Sequence, residues 1–281
     1  MCMTDCESDA QQRPAERSSL QLRTYNRPMA WGSFKDHFSG HAADYSRYRP
    51  GAYPPALFKA LAALAPDQEC VWDCGTGNGQ AALGLAELFE RVEATDASDK
   101  QIAAATPHPK IHYAVAPAEA SCLPDQSVAL IMVAQALHWF DLPKFYAEAR
   151  RVAKPQALLA CSCYMHCSVS PGVDAAMQHL YEGILGDAYW PPERKHVERH
   201  YADLDFPFPE IELPRFQMEV RWPLEGYVGY LRSWSATQNY IKKNGGDPIE
   251  RVGEELLKAW GDPKTARSVR WNISLRAGYI S

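Results

Sequence analysis

The chain has 281 residues, of which 46% are hydrophobic and 22% are charged, so it can bury a substantial core in one or two domains. Its 29 basic and 34 acidic residues give a net charge of −5, which argues against a broad surface for nucleic acid or for an anionic membrane. The sequence lacks the run of about 18 apolar residues that a membrane helix needs, and its acidic start lacks the pattern of a secretory signal. We therefore predict a cytoplasmic protein, and we expect it to be a monomer or a homodimer.

Two segments precede the first regular pattern of the sequence. Residues 1–30 are polar and lack periodicity, which predicts a flexible tail. Residues 34–53 are rich in aromatic side chains and arginine and are followed by paired prolines. A helix is then predicted over 56–65, where leucines recur on one face.

Strands and helices alternate from residue 70 to residue 164. Short apolar runs predict strands over 70–74, 92–96, 111–116, 128–133 and 157–164, and helical spacing of apolar residues predicts helices over 80–90, 100–105 and 142–152. This alternation is typical of βαβ units, so we predict a parallel sheet with helices packed on it.

The regular alternation stops after residue 165. A helix is predicted over 173–184, and alternating patterns predict strands over 217–222 and 269–275. The residues between these two strands look helical, with a break at 245–248 where two glycines and a proline occur.

A glycine-rich turn between the first strand and the next helix carries the main functional signal. It reads DCGTGNG over residues 73–79. Its glycines allow a tight turn and a close approach of the backbone to a ligand, and the following helix offers free N–H groups. Asp96 ends the second strand 21 residues after Gly75, where a carboxylate can accept both ribose hydroxyls of a nucleotide-like cofactor.

Charge distinguishes between two classes of cofactor. Gln80 stands where a dinucleotide-binding turn needs its third glycine or an alanine. Asp73 precedes the turn, and a carboxylate there suits a positively charged ligand better than a pyrophosphate. S-adenosylmethionine carries an ammonium and a sulfonium and has no phosphate, so the residues favour it over a nicotinamide cofactor. A purely structural turn is the remaining alternative.

Several segments together resemble a known family. They are residues 45–50 with 53–54, 73–79, 96–101, 118–124, 134–141 and 231–235. On these segments the sequence resembles the class I S-adenosylmethionine-dependent methyltransferases. More narrowly, it is similar to the type 11 small-molecule branch that includes trans-aconitate methyltransferase-like proteins. The resemblance covers about residues 34–278.

The resemblance implies an α/β, Rossmann-like fold. It would contain a seven-stranded doubly wound sheet with an antiparallel last strand pair, and a helical cap. The methyltransferase core would comprise residues 31–165, including an N-terminal lid, together with 210–281. Residues 166–209 and about 223–262 would form cap or lid insertions.

The same resemblance implies a binding site for S-adenosylmethionine and for its product S-adenosylhomocysteine. Asp73 would face the ammonium of this cofactor, directly or through water, and Asp96 would hold its ribose. The implied cofactor contacts are Tyr45, Asp73, Gly75, Thr76, Gly77, Asp96, Ala97, Gln101, Ala118, Glu119, Gln135 and Ala136.

The substrate side of the site has fewer candidates. Methyl transfer needs the nucleophile aligned with the methyl group; a carboxylate needs no base, whereas an ammonium or a phenol must lose a proton. His138 is the candidate base, with hydrogen bonding to substrate and a structural role as alternatives. Arg49 and Arg232 are candidates to bind a substrate carboxylate. Trp139 and Trp234 are candidates to wall an apolar pocket.

The family likeness makes O-methylation of a carboxylic acid the leading hypothesis. N-, S- or C-methylation of a metabolite is the alternative within enzymes, and a non-catalytic cofactor-binding protein of the same fold is the alternative from another class. We expect no metal, because Cys161 and Cys163 share a strand face but lack the spacing and the second ligand pair of a zinc site.

Overall fold

The computed structural model describes residues 53–281. The predicted tail lies outside the described residues, and so does almost all of the predicted lid, including Tyr45 and Arg49. The division of the chain into core, cap and tail stays a prediction.

In the described part of the chain, seven strands form a single mixed sheet. They are β1 (Cys70–Cys74), β2 (Arg91–Asp96), β3 (Ile111–Val115), β4 (Val128–Ala134), β5 (Ala153–Tyr164), β6 (Phe216–Trp222) and β7 (Arg267–Tyr279). They lie in the order β3-β2-β1-β4-β5-β7-β6. The first five are parallel, and β7 runs antiparallel to both of its neighbours. This confirms the predicted seven-stranded sheet with an antiparallel last strand pair.

Helices connect and cover the strands. They are α1 (Pro55–Leu64), α2 (Gln80–Ala86), α3 (Asp99–Ala103), α4 (Leu142–Val152), α5 (Pro171–Gln178), α6 (Gly186–Tyr189), α7 (Arg194–Glu198), α8 (Leu224–Arg232), α9 (Ser235–Asn244) and α10 (Gly253–Trp260). A π-helix spans His179–Leu185, and 3₁₀ turns span Leu137–Trp139 and Pro248–Arg251. The strand β4 is buried along all but its last residue, as its unbroken apolar run predicts for a strand covered on both faces.

The start of β5 differs from the sequence prediction. The strand begins at Ala153, directly after α4, whereas its apolar run begins at Ala157. The Nζ atom of Lys154 donates to a carboxylate oxygen of Asp67 at 2.8 Å and to one of Glu69 at 2.6 Å. Because polar contacts hold this end of the strand, hydrophobic pattern does not reveal it.

The predicted helical region between β6 and β7 also differs. It breaks at the predicted 245–248, and in addition at Trp234, whose backbone is extended with φ −65° and ψ 136°. The break places the Trp234 side chain in the interior, where it is 5% exposed. Burial of this indole therefore interrupts a segment whose local pattern favours a continuous helix.

We call the helices after β5 and those between β6 and β7 the cap. Helix α5 packs against α10, and the π-helix packs against α9 and the second 3₁₀ turn. Tyr227, Trp260 and Trp271 are fully buried and belong to the same apolar cluster as the residues under the sheet. The cap and the sheet thus share a continuous core.

The order of the strands places a crevice at one edge of the sheet. Strand β2 lies on one side of β1, and β4 lies on the other. In a doubly wound sheet, ligands bind beyond the carboxyl ends of the strands at such a reversal of order.

Among the described residues, no helix combines the length and apolar character needed to cross a membrane.

The described cysteines are consistent with a structural role. None of them forms a disulfide, and Cys161 and Cys163 are fully buried. Burial raises the pKa of both thiols, to about 12 for Cys163. No cluster of three potential metal ligands occurs within residues 53–281.

Candidate active site

A cavity of about 1080 Å³ lies at the carboxyl ends of the parallel strands. This volume slightly exceeds the usual range for ligand pockets, which is about 300–1,000 Å³, so the cavity can hold two small molecules. One side is formed by the loops after β1, β2, β3 and β4, and the other by residues of the cap. Among the predicted site residues, those that line it are Gly75, Thr76, Gly77, Asp96, Ala97, Gln101, Ala118, Glu119, Gln135, Ala136, His138, Trp139 and Trp234.

The turn after β1 forms the floor of the cavity, and Gly75 and Gly77 keep part of it free of side chains. Gly75 has φ +71°, and a Cβ atom there would lie 2.6 Å from the Cβ atom of Ala136. The N–H groups of Gly75 and Thr76 both donate to the Thr95 carbonyl at 2.9 Å, which anchors the turn to β2. Glycine is therefore required at position 75 by backbone conformation and by space.

Asp96 connects the turn to the start of α3. Its Oδ2 atom accepts a hydrogen bond from the Gly77 N–H at 2.9 Å, and its Oδ1 atom accepts one from the Ser98 N–H at 2.9 Å. The Ser98 side chain in turn caps α3 by accepting from the Gln101 N–H. Asp96 thus reaches the cavity from a fixed position at the carboxyl end of β2.

Asp73 lies behind the turn after β1, where its carboxylate is fully buried and does not line the cavity. Its expected contact with a ligand ammonium, directly or through water, stays a prediction. Its Oδ2 atom accepts a hydrogen bond from the Thr76 hydroxyl at 2.5 Å. Burial raises the Asp73 pKa to about 7, and the nearby Asp96 carboxylate adds to the rise. Asp73 holds the turn from behind because the Thr76 side chain folds back onto it.

A third part of the cavity wall follows β3. Ala118 and Glu119 line it, and Glu119 accepts a hydrogen bond from the Asp141 N–H at 2.8 Å. Val115 lies in the same wall and is 54% exposed, which is unusual for a large apolar side chain. Sequence analysis did not single out Val115, because its position at the end of a strand carries no pattern that distinguishes it from a core residue.

Gln135 fixes the loop after β4. Its side chain donates to the Tyr164 carbonyl at 3.0 Å and accepts from the Tyr164 N–H at 2.9 Å. Its φ of +58° is disfavoured for residues with a side chain. The two hydrogen bonds to β5 offset this cost and hold Gln135 and Ala136 against the turn after β1.

His138 lies in the 3₁₀ turn after β4 and lines the cavity. Its Nδ1 atom is hydrogen-bonded to the hydroxyl of Tyr201 at 2.8 Å, and Tyr201 is fully buried in the cap. Burial, together with the positive charge of the nearby Arg194, lowers the His138 pKa to about 3. The imidazole is therefore neutral at physiological pH.

Three of the predicted substrate-binding residues fall within the described residues, and they do not all line the cavity. Trp139 and Trp234 line the cavity, and their role as a wall for substrate stays a prediction. Arg232 does not line it; its Nε atom pairs with Asp247 at 2.7 Å on the surface of the cap. The prediction that Arg232 lies in the substrate site is therefore wrong, because at the end of α8 this side chain points outward to Asp247.

Similar proteins identify the family. A family model described as a methyltransferase domain matches residues 72–161. A Dictyostelium discoideum protein named as a methyltransferase is 33% identical over 239 residues, which cover 82% of this chain and 90% of that protein. A solved structure of an Anaeromyxobacter dehalogenans protein, described as a type II methyltransferase, is 49% identical, with a TM-score of 0.78, and the match covers 83% of this chain and 98% of that one. The chain belongs to the class I S-adenosylmethionine-dependent methyltransferases.

The matched segment of this methyltransferase stops before the cap. It contains the glycine turn, Asp96, Gln135 and His138, all of which the sequence pointed to. The cap contributes Trp190, Pro191, Glu193, Arg194, Tyr230 and Ser235 to the cavity. Sequence analysis missed these residues, and the available signal, an indole followed by two prolines and a charged pair at 190–194, is weak without the fold.

Proposed function

We propose that this methyltransferase transfers the methyl group of S-adenosylmethionine to a carboxylate oxygen of a small organic acid. The observation that carries the proposal is the state of His138. Its Nδ1 atom is hydrogen-bonded to the buried Tyr201 hydroxyl at 2.8 Å, and burial lowers its pKa to about 3. It is therefore a poor acceptor for the proton of an ammonium or a phenol, whose pKa is about 10. A carboxylate is already ionised at pH 7 and needs no base.

The residues at the cofactor side suit S-adenosylmethionine. The turn without side chains at Gly75 and Gly77, closed by Ala136, would hold its amino acid part. Asp96 would accept from its ribose hydroxyls. Its adenine would lie against Ala97, Gln101, Ala118, Glu119 and Val115, and Tyr45, outside the described residues, stays a proposed contact.

The charges of this side agree with that cofactor. The carboxylates of Asp96 and Glu119 line the cavity, while the ammonium of Lys144 pairs with Asp141 at 2.7 Å. Such a wall favours a positively charged ligand over a pyrophosphate. When bound, S-adenosylmethionine supplies a methyl group on a sulfonium, which is already activated toward displacement.

The chain then needs to align the acid and to exclude water. Trp139 from the sheet side and Trp234 from the cap are placed to enclose the substrate. The product would be a methyl ester, and the step requires no proton transfer by the protein.

N-methylation of an amine is a second candidate, and one observation favours it. Glu193 lines the same cavity and has a buried carboxylate oxygen without a hydrogen-bond partner among the described residues. A carboxylate in that position can accept the proton that an ammonium must lose before it reacts. The trans-aconitate-like branch, the cytoplasmic location and the monomeric or homodimeric state stay predictions.

The stability of the transferred methyl group distinguishes the two reactions. The purified protein would be incubated with methyl-labelled S-adenosylmethionine and matched panels of small acids, their amides and the corresponding amines. We expect label in the acid samples, released as methanol by mild alkali because methyl esters hydrolyse. Label that appears in the amine samples and resists alkali would replace the first proposal with the second.

A further inference from the structure

The cap side of the cavity holds a guanidinium that uses only one of its nitrogens as a hydrogen-bond donor among the described residues. Arg194, at the start of α7, lines the cavity. Its Nε atom donates to the Tyr181 hydroxyl at 3.1 Å. The structure gives its terminal nitrogens no hydrogen-bond partner among the described residues, and no described carboxylate forms an ion pair with it. Lys144, the other cation in the lining, is paired with Asp141.

Aromatic rings fix the direction of this guanidinium. Its central carbon lies 4.9 Å from the ring centroid of Trp190 and 5.7 Å from that of Tyr181. Tyr181 belongs to the π-helix, and its hydroxyl donates to Glu198 on α7. A π-helix within a helical segment often occurs at a functional site, and here it presents the hydroxyl that holds Arg194. The guanidinium is thus pre-organised rather than free to turn into solvent.

An apolar wall lies beside the guanidinium. The rings of Trp190 and Trp234 are 5.5 Å apart between centroids, and both line the cavity together with Tyr230. An aromatic wall on its own can bind either a cation or the apolar part of a ligand. The positive charge of Arg194 disfavours a second cation at this wall, because like charges at short distance repel.

Glu193 qualifies this electrostatic argument. Its carboxylate stands in the same wall as Arg194, so the wall has little net charge. Selection for an anion must then come from geometry: a planar guanidinium presents parallel N–H groups that match the two oxygens of a carboxylate. The buried oxygen of Glu193 is available to accept a hydrogen from a neighbouring group of the same ligand.

We propose that Arg194 is the carboxylate-binding residue of the substrate site, and that the site takes a small acid whose apolar frame packs against Trp190 and Trp234. This assignment rests on the proposed function, since it treats the cap side of the cavity as the substrate side. It replaces Arg232, which faces Asp247 on the surface.

Binding of three matched probes tests the assignment without knowledge of the natural substrate. Calorimetry would measure phenylacetate, phenylacetamide and 2-phenylethylammonium against the full chain saturated with S-adenosylhomocysteine. We expect the acid to bind at least tenfold more tightly than the amide, and the ammonium to bind more weakly than both. An amide or ammonium that binds as well as the acid, or an acid that does not bind, would overturn the assignment.

Variants then locate the effect. Arg194→Gln should weaken phenylacetate binding by about 10- to 100-fold and leave phenylacetamide binding within about twofold, as expected for loss of a charge-assisted hydrogen bond. Lys195→Gln, an exposed neighbour outside the cavity lining, is the matched control and should bind as the wild type does. Wild-type affinity for phenylacetate in Arg194→Gln contradicts the assignment.

The controls separate this proposal from the cofactor proposal. S-adenosylhomocysteine binding by the wild type reports on the cofactor side, so its absence would refute the proposed function rather than the role of Arg194. If Arg194→Gln fails to fold, Arg194→Lys keeps the charge and loses the planar fork. That variant should retain part of the preference for acid over amide, and an unchanged preference would contradict a geometric role for the guanidinium.

Discussion

At the scale of single residues, the missing side chain of Gly75 shapes the cofactor side of the cavity. A Cβ atom would combine a left-handed backbone with a contact of 2.6 Å to Ala136. We expect Gly75→Ala to lose about 1–3 kcal/mol of unfolding free energy and most of its affinity for S-adenosylhomocysteine. Urea unfolding and calorimetry would measure both. The matched control is Gly246→Ala, whose added Cβ atom would contact nothing; equal losses in the two variants would refute the steric argument.

Asp73 gives a prediction about pH. Its native pKa is raised to about 7 by burial, whereas an unfolded aspartate titrates near 4. Between these values the native state binds a proton that the unfolded state releases, so the contribution of Asp73 to stability falls as pH rises. Asp73→Asn removes this titration. Its unfolding free energy minus that of the wild type should therefore increase from pH 4.5 to pH 7.5, by roughly 1.4 kcal/mol per pH unit at most.

Urea unfolding of both proteins across this pH range would measure the difference, in which titrating groups that do not interact with Asp73 cancel. A difference that is flat or that decreases with pH would mean that the Asp73 carboxyl is ionised in the native state.

At the scale of elements, the last residue of α8, Arg232, forms an ion pair on the surface and does not reach the cavity. Arg232 pairs with Asp247, whose other carboxylate oxygen accepts from the Ile249 N–H and caps the 3₁₀ turn. The pair is solvent-exposed on the arginine side, so Arg232→Ala should cost less than about 1 kcal/mol of unfolding free energy. Its affinity for phenylacetate should stay within about twofold of the wild type. A tenfold loss would return Arg232 to the substrate site.

The strands of the sheet could be predicted because their signal is local. The run at 128–133 is wholly apolar, as is typical of a strand buried on both faces, and the run at 70–74 is apolar except for Asp73. Both strands were placed within one residue of their observed bounds. The extra residues of β5 and the break at Trp234 could not, because an ion pair with Lys154 and the burial of one indole decide them. Both effects depend on residues distant in sequence.

In the candidate site, too, the features with a local signal could be predicted and those that depend on distant residues could not. The turn after β1 and Asp96 were predicted because their spacing follows from the βαβ unit itself. The contact of His138 with Tyr201 joins residues 63 positions apart, and Arg194 is held by a tyrosine from another helix. Such contacts form only when the cap packs against the sheet, so no local sequence pattern predicts them.

At the scale of the whole molecule, the cavity is lined on one side by the edge of the sheet and on the other by the cap. The sheet edge contributes the glycine turn, Asp96, Glu119 and Trp139, and the cap contributes Trp190, Trp234, Glu193 and Arg194. The shared core of cap and sheet keeps these halves in register. We infer a division of labour in which the sheet edge binds the cofactor and the cap selects the acceptor.

The measurement that tests this account most directly is calorimetric titration with S-adenosylhomocysteine, with NADH as the competing ligand. We predict micromolar binding of S-adenosylhomocysteine, no binding of NADH, and a loss of at least tenfold in Asp96→Asn, because a charged acceptor at the ribose is removed. Asp99→Asn, on the exposed first turn of α3, should bind as the wild type does. Binding of NADH instead, or full affinity in Asp96→Asn, would contradict the cofactor site described above.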